Sequence, residues 1–301
     1  MSRSATVKDS PRVLVTGAAG MLGIAMVARF RERHTVQPMT RSDADLTDAQ
    51  SCIEWIVKAS PQIIVHVAAW TDVDACEADP DRAFRDNGLA TRNVALAAQR
   101  LGASMCYISS DYVFDGRKST PYREYDSTSP LGVYGRSKLW GEEVVQRLVR
   151  QHWIARTSWL YGSGGRNFVQ TMAHLLASRS SVQVVDDQRG SPTYTLDLAA
   201  AIVELVHCPV SGVYHVTNAG ECTWFGLARR IAGELGSSCR VTPCRTAQFP
   251  RPAPRPGNSV LEPWAWQSAG LPLLRPWEQA VADYLVILRQ QAAAHSEEKQ
   301  A

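Results

Sequence analysis

Tyr134 and Lys138 stand four residues apart at the start of a stretch that reads as a helix, "YGRSKLWGEE", and Ser110 closes the apolar run "ASMCYISS" upstream of them. That spacing puts the phenol and the ammonium on one helix face. A neighbouring ammonium favours phenolate, so the Tyr134 pKa is expected below its ordinary value of ~10. Such a tyrosine can exchange a proton with a carbonyl or alcohol oxygen while a serine hydroxyl holds that oxygen. Singly these residues carry little: Tyr-x-x-x-Lys arises by chance, and Ser110 could merely cap a turn. Their order after a glycine-rich turn is the informative part.

That turn is "TGAAGMLG", with Gly17, Gly20 and Gly23 spaced G-x-x-G-x-x-G between the β-branched run "RVLV" and an apolar helical pattern. The first glycine makes a tight turn, the second lets a phosphate approach the backbone, and the third lets the helix pack close to the sheet. Met21 and Leu22 open that helix, whose N-terminus offers free N–H groups and partial positive charge to a pyrophosphate. A dinucleotide is the expected ligand; the alternative is a structural turn. After the second strand, in "TRSDADLTD", Arg41 stands where a chain favouring NADH would often carry an acid, and an arginine can pair with a 2′-phosphate. NADPH is therefore the expected cofactor, with NADH possible. A nicotinamide beside Ser110, Tyr134 and Lys138 implies carbonyl reduction or its reverse.

The elements that must position these residues alternate regularly. Strands are expected at "RVLV", "TVQPM", "QIIVHVAAW", "ASMCYISS" and "WIARTSWLYG", with helices between them. The segment "DPDRAFRDNGLATRNVALAAQRLG" reads as one long amphipathic helix. Hydrophobicity is continuous within the strands, as in a parallel sheet covered on both faces. Beyond Gly162 the rhythm changes, and "LDLAAAIVELVH" and "GVYHVTNAG" read as one more helix and buried strand. The fold expected is α/β, a Rossmann-type doubly wound parallel sheet with a smaller interleaved C-terminal α/β substrate domain. Residues 11–162 form the nucleotide-binding domain with a return segment at about 196–218, residues 163–195 and 219–290 the substrate domain, and 1–10 and 291–301 tails.

The 301 residues are 45% hydrophobic and 20% charged, with a net charge of +3 and no block of like charge, which argues against nucleic-acid or membrane tracts. Seven cysteines without a Cys-x-x-Cys pair read as thiols in a reducing compartment. With no apolar run of signal-peptide or membrane-spanning length, a cytoplasmic protein is expected. His66 reads as a packing histidine and the Asp186–Asp187 pair as a loop feature; no metal site is expected. The tryptophans at 264, 266 and 277 read as core.

From about Arg12 to about Leu288 the chain resembles the extended short-chain dehydrogenase/reductases, and within them the dTDP-4-dehydrorhamnose reductase family, through "VTGAAGMLG", "AAWTDVDACE", "SSDYVFDG", "PLGVYGRSKLWGE", "RTSWLYG", "VVDDQRGSPT" and "PRPAPRPGNSVL". The resemblance implies that Tyr134 is the general acid, that Lys138 tunes it and binds the nicotinamide ribose, and that Ser110 replaces the family's commoner threonine. It implies further that Ala68, Ala69 and Thr71 line the cofactor. Val73, Asp111 and Trp159 would contact the sugar, and Asn167 and Arg255 the nucleotide end. The implied partner is a dTDP-4-keto-6-deoxysugar, and a homodimer is the assembly allowed for. Sugar-nucleotide dehydratases typically carry Thr-Asp-Glu at the strand end; here the run is Ser110-Asp111-Tyr112, which argues against dehydration. A reductase of another dTDP-4-keto-6-deoxysugar, such as the dihydrostreptose type, and a non-catalytic regulatory subunit remain the alternatives.

Overall fold

A six-stranded, all-parallel sheet carries the fold, and its strand order decides where a ligand can sit. The structure, a computed structural model, describes residues 10–298. Strands β1 (Arg12–Thr16), β2 (Thr35–Met39), β3 (Ile63–His66), β4 (Ser104–Ser110) and β5 (His152–Thr157) are joined by a late strand, Gly212–His215. The spatial order is Gly212–His215, β5, β4, β3, β1, β2. The chain therefore reverses its direction of winding at β1, which has β2 on one side and β3 on the other, and a crevice opens over their carboxyl ends. β3 and β4 are almost wholly buried, as β-branched and apolar runs covered on both faces should be. β2 is mostly exposed and contains Pro38, which an edge strand tolerates.

One face is covered by helix Met21–Phe30 packed on helix Thr195–Leu205, with Met26, Phe30, Leu198 and Ile202 in a common core. The other carries helices Ala49–Ala59, Ala90–Leu101 and Val133–Leu148. A smaller lobe packs helices Phe168–Ser178, Trp224–Leu235 and Trp277–Glu298 with the parallel pair Ser181–Val185 and Arg240–Cys244 around a separate core that includes Val169, Leu227 and Tyr284. Among the described residues, no helix is long and apolar enough to cross a membrane.

Four local expectations are corrected. The segment read as one amphipathic helix is divided into Pro80–Ala83, a π-helical turn Phe84–Leu89 and helix Ala90–Leu101. The widened turn aims Asn87 inward and brings Gly88 so close to Trp140 that a Cβ there would fall 1.9 Å from the indole. The apolar run "QIIVHVAAW" is a strand only to His66, and the rest is irregular chain at the strand's carboxyl end. The tail expected from 291 is helical as far as Glu298, in keeping with its Ala, Gln and Glu content; residues 1–9 and 299–301 of the expected tails lie outside the described residues. Trp266 and Trp277 are core, but Trp264 is 46% exposed, edge-on to Tyr125. All seven cysteines are free thiols.

Candidate active site

The first turn is shaped by close backbone approach. Gly17 has φ +67°, and a Cβ on it would lie 2.7 Å from the Ala68 nitrogen, so the turn after β1 is pressed against the chain leaving β3. A Cβ on Gly23 would fall 2.1 Å from the Gly17 carbonyl, which is why Gly23 serves helix packing and does not face the cleft. Gly20 caps helix Met21–Phe30 without any side-chain bond to its first turn, so those N–H groups are left for a ligand. This backbone fits a pyrophosphate.

The turn opens into a cleft of about 1660 Å³, larger than the roughly 300–1,000 Å³ of a pocket for one small molecule. Gly17, Gly20, Met21, Leu22 and Arg41 line one end, with Ala68, Ala69 and Thr71 in the loop after β3. Arg41 is exposed there, while the nearby acid, Asp43, is tied back by accepting from the Thr40 N–H at 2.8 Å. Val73, Ser110, Asp111, Tyr134, Lys138 and Trp159 also line the cleft.

Ser110 is the last residue of β4, and its hydroxyl does two things. It accepts from the Tyr112 N–H at 3.2 Å, capping a short 3₁₀ turn, and donates to Asp111 Oδ1 at 2.9 Å. Helix Val133–Leu148 comes down onto this turn because Gly135 has no side chain: a Cβ there would sit 2.1 Å from the Tyr112 carbonyl. Its open first N–H, on Val133, donates to Glu77 Oε2 at 2.9 Å. Tyr134 thereby lies edge-on to Tyr112, with ring centroids 5.6 Å apart. Burial and the Asp111 carboxylate push the Tyr134 phenol above its ordinary pKa, opposed by a hydrogen bond with Ser110.

This reverses the expected downward shift. Lys138 is itself buried, its Nζ lying 4.2 Å from the centre of the Tyr107 ring, and burial lowers it to about 7 against the pull of Glu142. Burial and Asp111, rather than Lys138, lead the shift at Tyr134, and the cost of burying phenolate prevails. The result is a phenol held neutral, which is the form a proton donor needs. Asp111 is likewise raised, to about 6, by burial.

His66 has partners that are remote in sequence: Nδ1 lies 2.7 Å from Thr16 Oγ1 and Nε2 3.1 Å from Thr91 Oγ1. Burial, then Lys138, lowers its pKa to about 3, so it packs as neutral imidazole. Asp186 accepts from Thr223 Oγ1 and Asp187 from the Thr246 N–H, so both carboxylates serve loop structure. Asn167 and Arg255 do not line the cleft. Asn167 caps helix Phe168–Ser178 through the Gln170 N–H and donates to the Gly162 carbonyl at 2.9 Å. Arg255 is taken up by Asp74 Oδ1 at 3.0 Å and the Ala253 carbonyl.

Several residues of the site escape the sequence reading, Asn87, Arg166 and Trp224 among them. Asn87, wholly buried in the π-helical turn, accepts from the Trp70 N–H at 2.7 Å and donates to the Trp70 carbonyl and to Ser137 Oγ at 2.9 Å. It fastens the loop after β3 to the helix bearing Tyr134. An asparagine on the apolar side of an amphipathic pattern was the available signal. Arg166 and Trp224 line the cleft from the smaller lobe, and nothing local in sequence marks them. Trp224 stacks on Trp159 with ring centroids 3.5 Å apart and 6° between planes. Trp159 holds φ +48°, a conformation that costs a bulky residue about 1–3 kcal/mol.

A half-buried phenol and a serine hydroxyl at the end of β4, reached by a helix that also carries a desolvated lysine, share one cleft with a phosphate-ready turn. Fold and site together define an oxidoreductase of the extended short-chain dehydrogenase/reductase type. The model of the RmlD substrate binding domain matches residues 11–290, and the chain belongs to that family. It is 42% identical over 280 residues to a dTDP-4-keto-6-deoxy-D-glucose reductase of Streptomyces niveus, covering 92% of this chain and 97% of the relative. It is 41% identical over 284 residues to a dTDP-4-dehydrorhamnose reductase of Mycobacterium tuberculosis, covering 92% and 93%. The crystal structure of dTDP-4-dehydrorhamnose reductase from Bacillus anthracis in complex with NADP superposes with a TM-score of 0.90 at 37% identity, covering 92% of this chain and 99% of that one.

Proposed function

We propose that the protein reduces the C4 keto group of dTDP-4-dehydro-β-L-rhamnose to give dTDP-β-L-rhamnose, the last step of dTDP-rhamnose formation in the cytoplasm. The observation that carries the reading is the meeting of Ser110, a neutral Tyr134 and Lys138 in the cleft that begins at Gly17 and Gly20. Bound NADPH supplies the hydride that C4 receives. Tyr134 gives its proton to the C4 oxygen, which Ser110 holds by a hydrogen bond once its hydroxyl turns from Asp111 to the substrate. Lys138 binds the nicotinamide ribose, and its charge offsets the phenolate left on Tyr134. Arg41 pairs with the 2′-phosphate, and the first turn of helix Met21–Phe30 with the pyrophosphate.

The test is loss of reduced-nicotinamide absorbance with enzymatically generated dTDP-4-dehydrorhamnose, run beside its unepimerised 4-keto-6-deoxyglucose precursor. Turnover of the first alone is the expected outcome. The resemblance to the Streptomyces niveus enzyme favours a second reading, reduction of a different dTDP-4-keto-6-deoxysugar, which turnover of the precursor would establish instead. The retained Tyr134 and Lys138 weigh against a purely regulatory subunit.

A further inference from the structure

Resting on that reading of the substrate, we infer that Trp224 and Gly190 are positioning residues that clamp Trp159 as a fixed aromatic wall for the deoxysugar end of the nucleotide sugar. The placement follows from sheet order. Thr157, which ends β5, is the register partner of Ser110, so Trp159 lies beyond Ser110 on the side away from β3 and β1, where the glycine turn sits. A ligand reaching Trp159 is therefore the one that is not the dinucleotide. Ser158 anchors the turn by donating to the Ser191 carbonyl at 2.7 Å, and the Thr193 N–H donates to the Trp159 carbonyl at 3.3 Å.

Two short strands, Arg189–Gly190 and Cys222–Thr223, then pair antiparallel and deliver both halves of the clamp. Gly190 lies so close to the indole that a Cβ would fall 2.3 Å from Cε2 and 2.6 Å from Nε1 of Trp159. Its own φ is unexceptional, so the glycine is there for space. Trp224, the residue directly after the second strand, covers Trp159 by stacking. Trp224 is held in turn by Phe168 at 4.6 Å between ring centroids and by donating from Nε1 to Gln188 Oε1 at 3.2 Å. Both indoles remain half-buried and line the cleft, so the clamp leaves apolar surface to meet the C–H and methyl groups of a deoxysugar.

The full-length protein, with Trp224→Ala, Trp224→Phe and Gly190→Ala variants, tests this by steady-state kinetics with dTDP-4-dehydrorhamnose, NADPH titration and circular dichroism of the coupled indoles. Loss of the stack in Trp224→Ala raises KM for the sugar about ten-fold, with kcat and NADPH affinity near wild type. Trp224→Phe restores most of the KM. The indole couplet disappears in Trp224→Ala and in Gly190→Ala. An unchanged KM in Trp224→Ala, or a couplet that survives Gly190→Ala, overturns the clamp, as does a joint fall of kcat and NADPH affinity. Failure of the wild-type protein to turn over this keto-sugar sinks the substrate reading instead, and the couplet still decides whether the clamp exists.

Discussion

Glu142 and Arg156 form a two-bond ion pair, at 2.9 and 2.7 Å, in which both side chains are at most 5% exposed. Ser109 donates to the same carboxylate at 2.5 Å, and the Arg156 guanidinium lies 5.1 Å from the Phe114 ring centre. The pair ties β5 to the helix that carries Lys138, one turn before Glu142.

Removing one partner strands a buried charge. Arg156→Met is expected to cost about 3–5 kcal/mol of stability, read by urea unfolding, and replacement of both residues by apolar ones should recover much of that loss. A single variant as stable as wild type would show that the pair is not coupled to folding.

Tyr134→Phe removes the transferable proton and little else. Its kcat is expected to fall by roughly a hundred-fold or more, while NADPH affinity, measured by fluorescence titration, stays near wild type. Near-normal turnover would transfer the acid role elsewhere.

Gly17→Ala meets two obstacles together, φ +67° and the Ala68 nitrogen 2.7 Å from the new methyl. Dinucleotide affinity should drop at least ten-fold, with a stability loss of about 1–3 kcal/mol. Gly102→Ala is the control: φ is +65° there but the space is open, so only the conformational cost applies and binding is untouched.

Lys138 has a folded pKa lowered to about 7 from 10.5. For a base lowered on folding, the neutral form is the one burial accommodates. The penalty is absent above about pH 10.5, grows as pH falls and is complete below about pH 7. Lys138→Met should therefore gain stability over wild type progressively across that window, by a few kcal/mol at neutral pH, while losing activity. Melting temperatures of both proteins from pH 6 to 10 check the sign; a gap that widens with rising pH would refute it.

What could be read from sequence was what local chemistry encodes. Buried strands announce themselves through β-branched runs, and the glycine turn through its place between strand and helix. Tyr134 and Lys138 show through a helical spacing that needs only the next turn to make sense. The direction of the Tyr134 shift was not legible, because spacing reports that two side chains are neighbours and is silent on how much water surrounds them. Nor was the break at Phe84–Leu89: amphipathic periodicity survives a π turn, while the cause, Asn87 bonding Trp70 and Ser137, lies in other elements. Asn167 and Arg255 illustrate the converse, since matched residue types became a helix cap and an ion pair with Asp74. The stack of Trp159 on Trp224 unites positions that only the folded chain brings together.

The sheet's last strand, Gly212–His215, and the helix before it, Thr195–Leu205, come from chain that follows the first elements of the smaller lobe. On a ribosome, β5 therefore emerges with an unpaired edge, and the apolar flank of helix Met21–Phe30 emerges uncovered. Both stay so until a long further stretch has been translated. The nascent protein passes through a sticky half-built stage. Synthesis stalled between β5 and that strand should therefore yield aggregation-prone fragments, and the place to divide this protein into two separately soluble pieces is not the apparent domain border near Gly162.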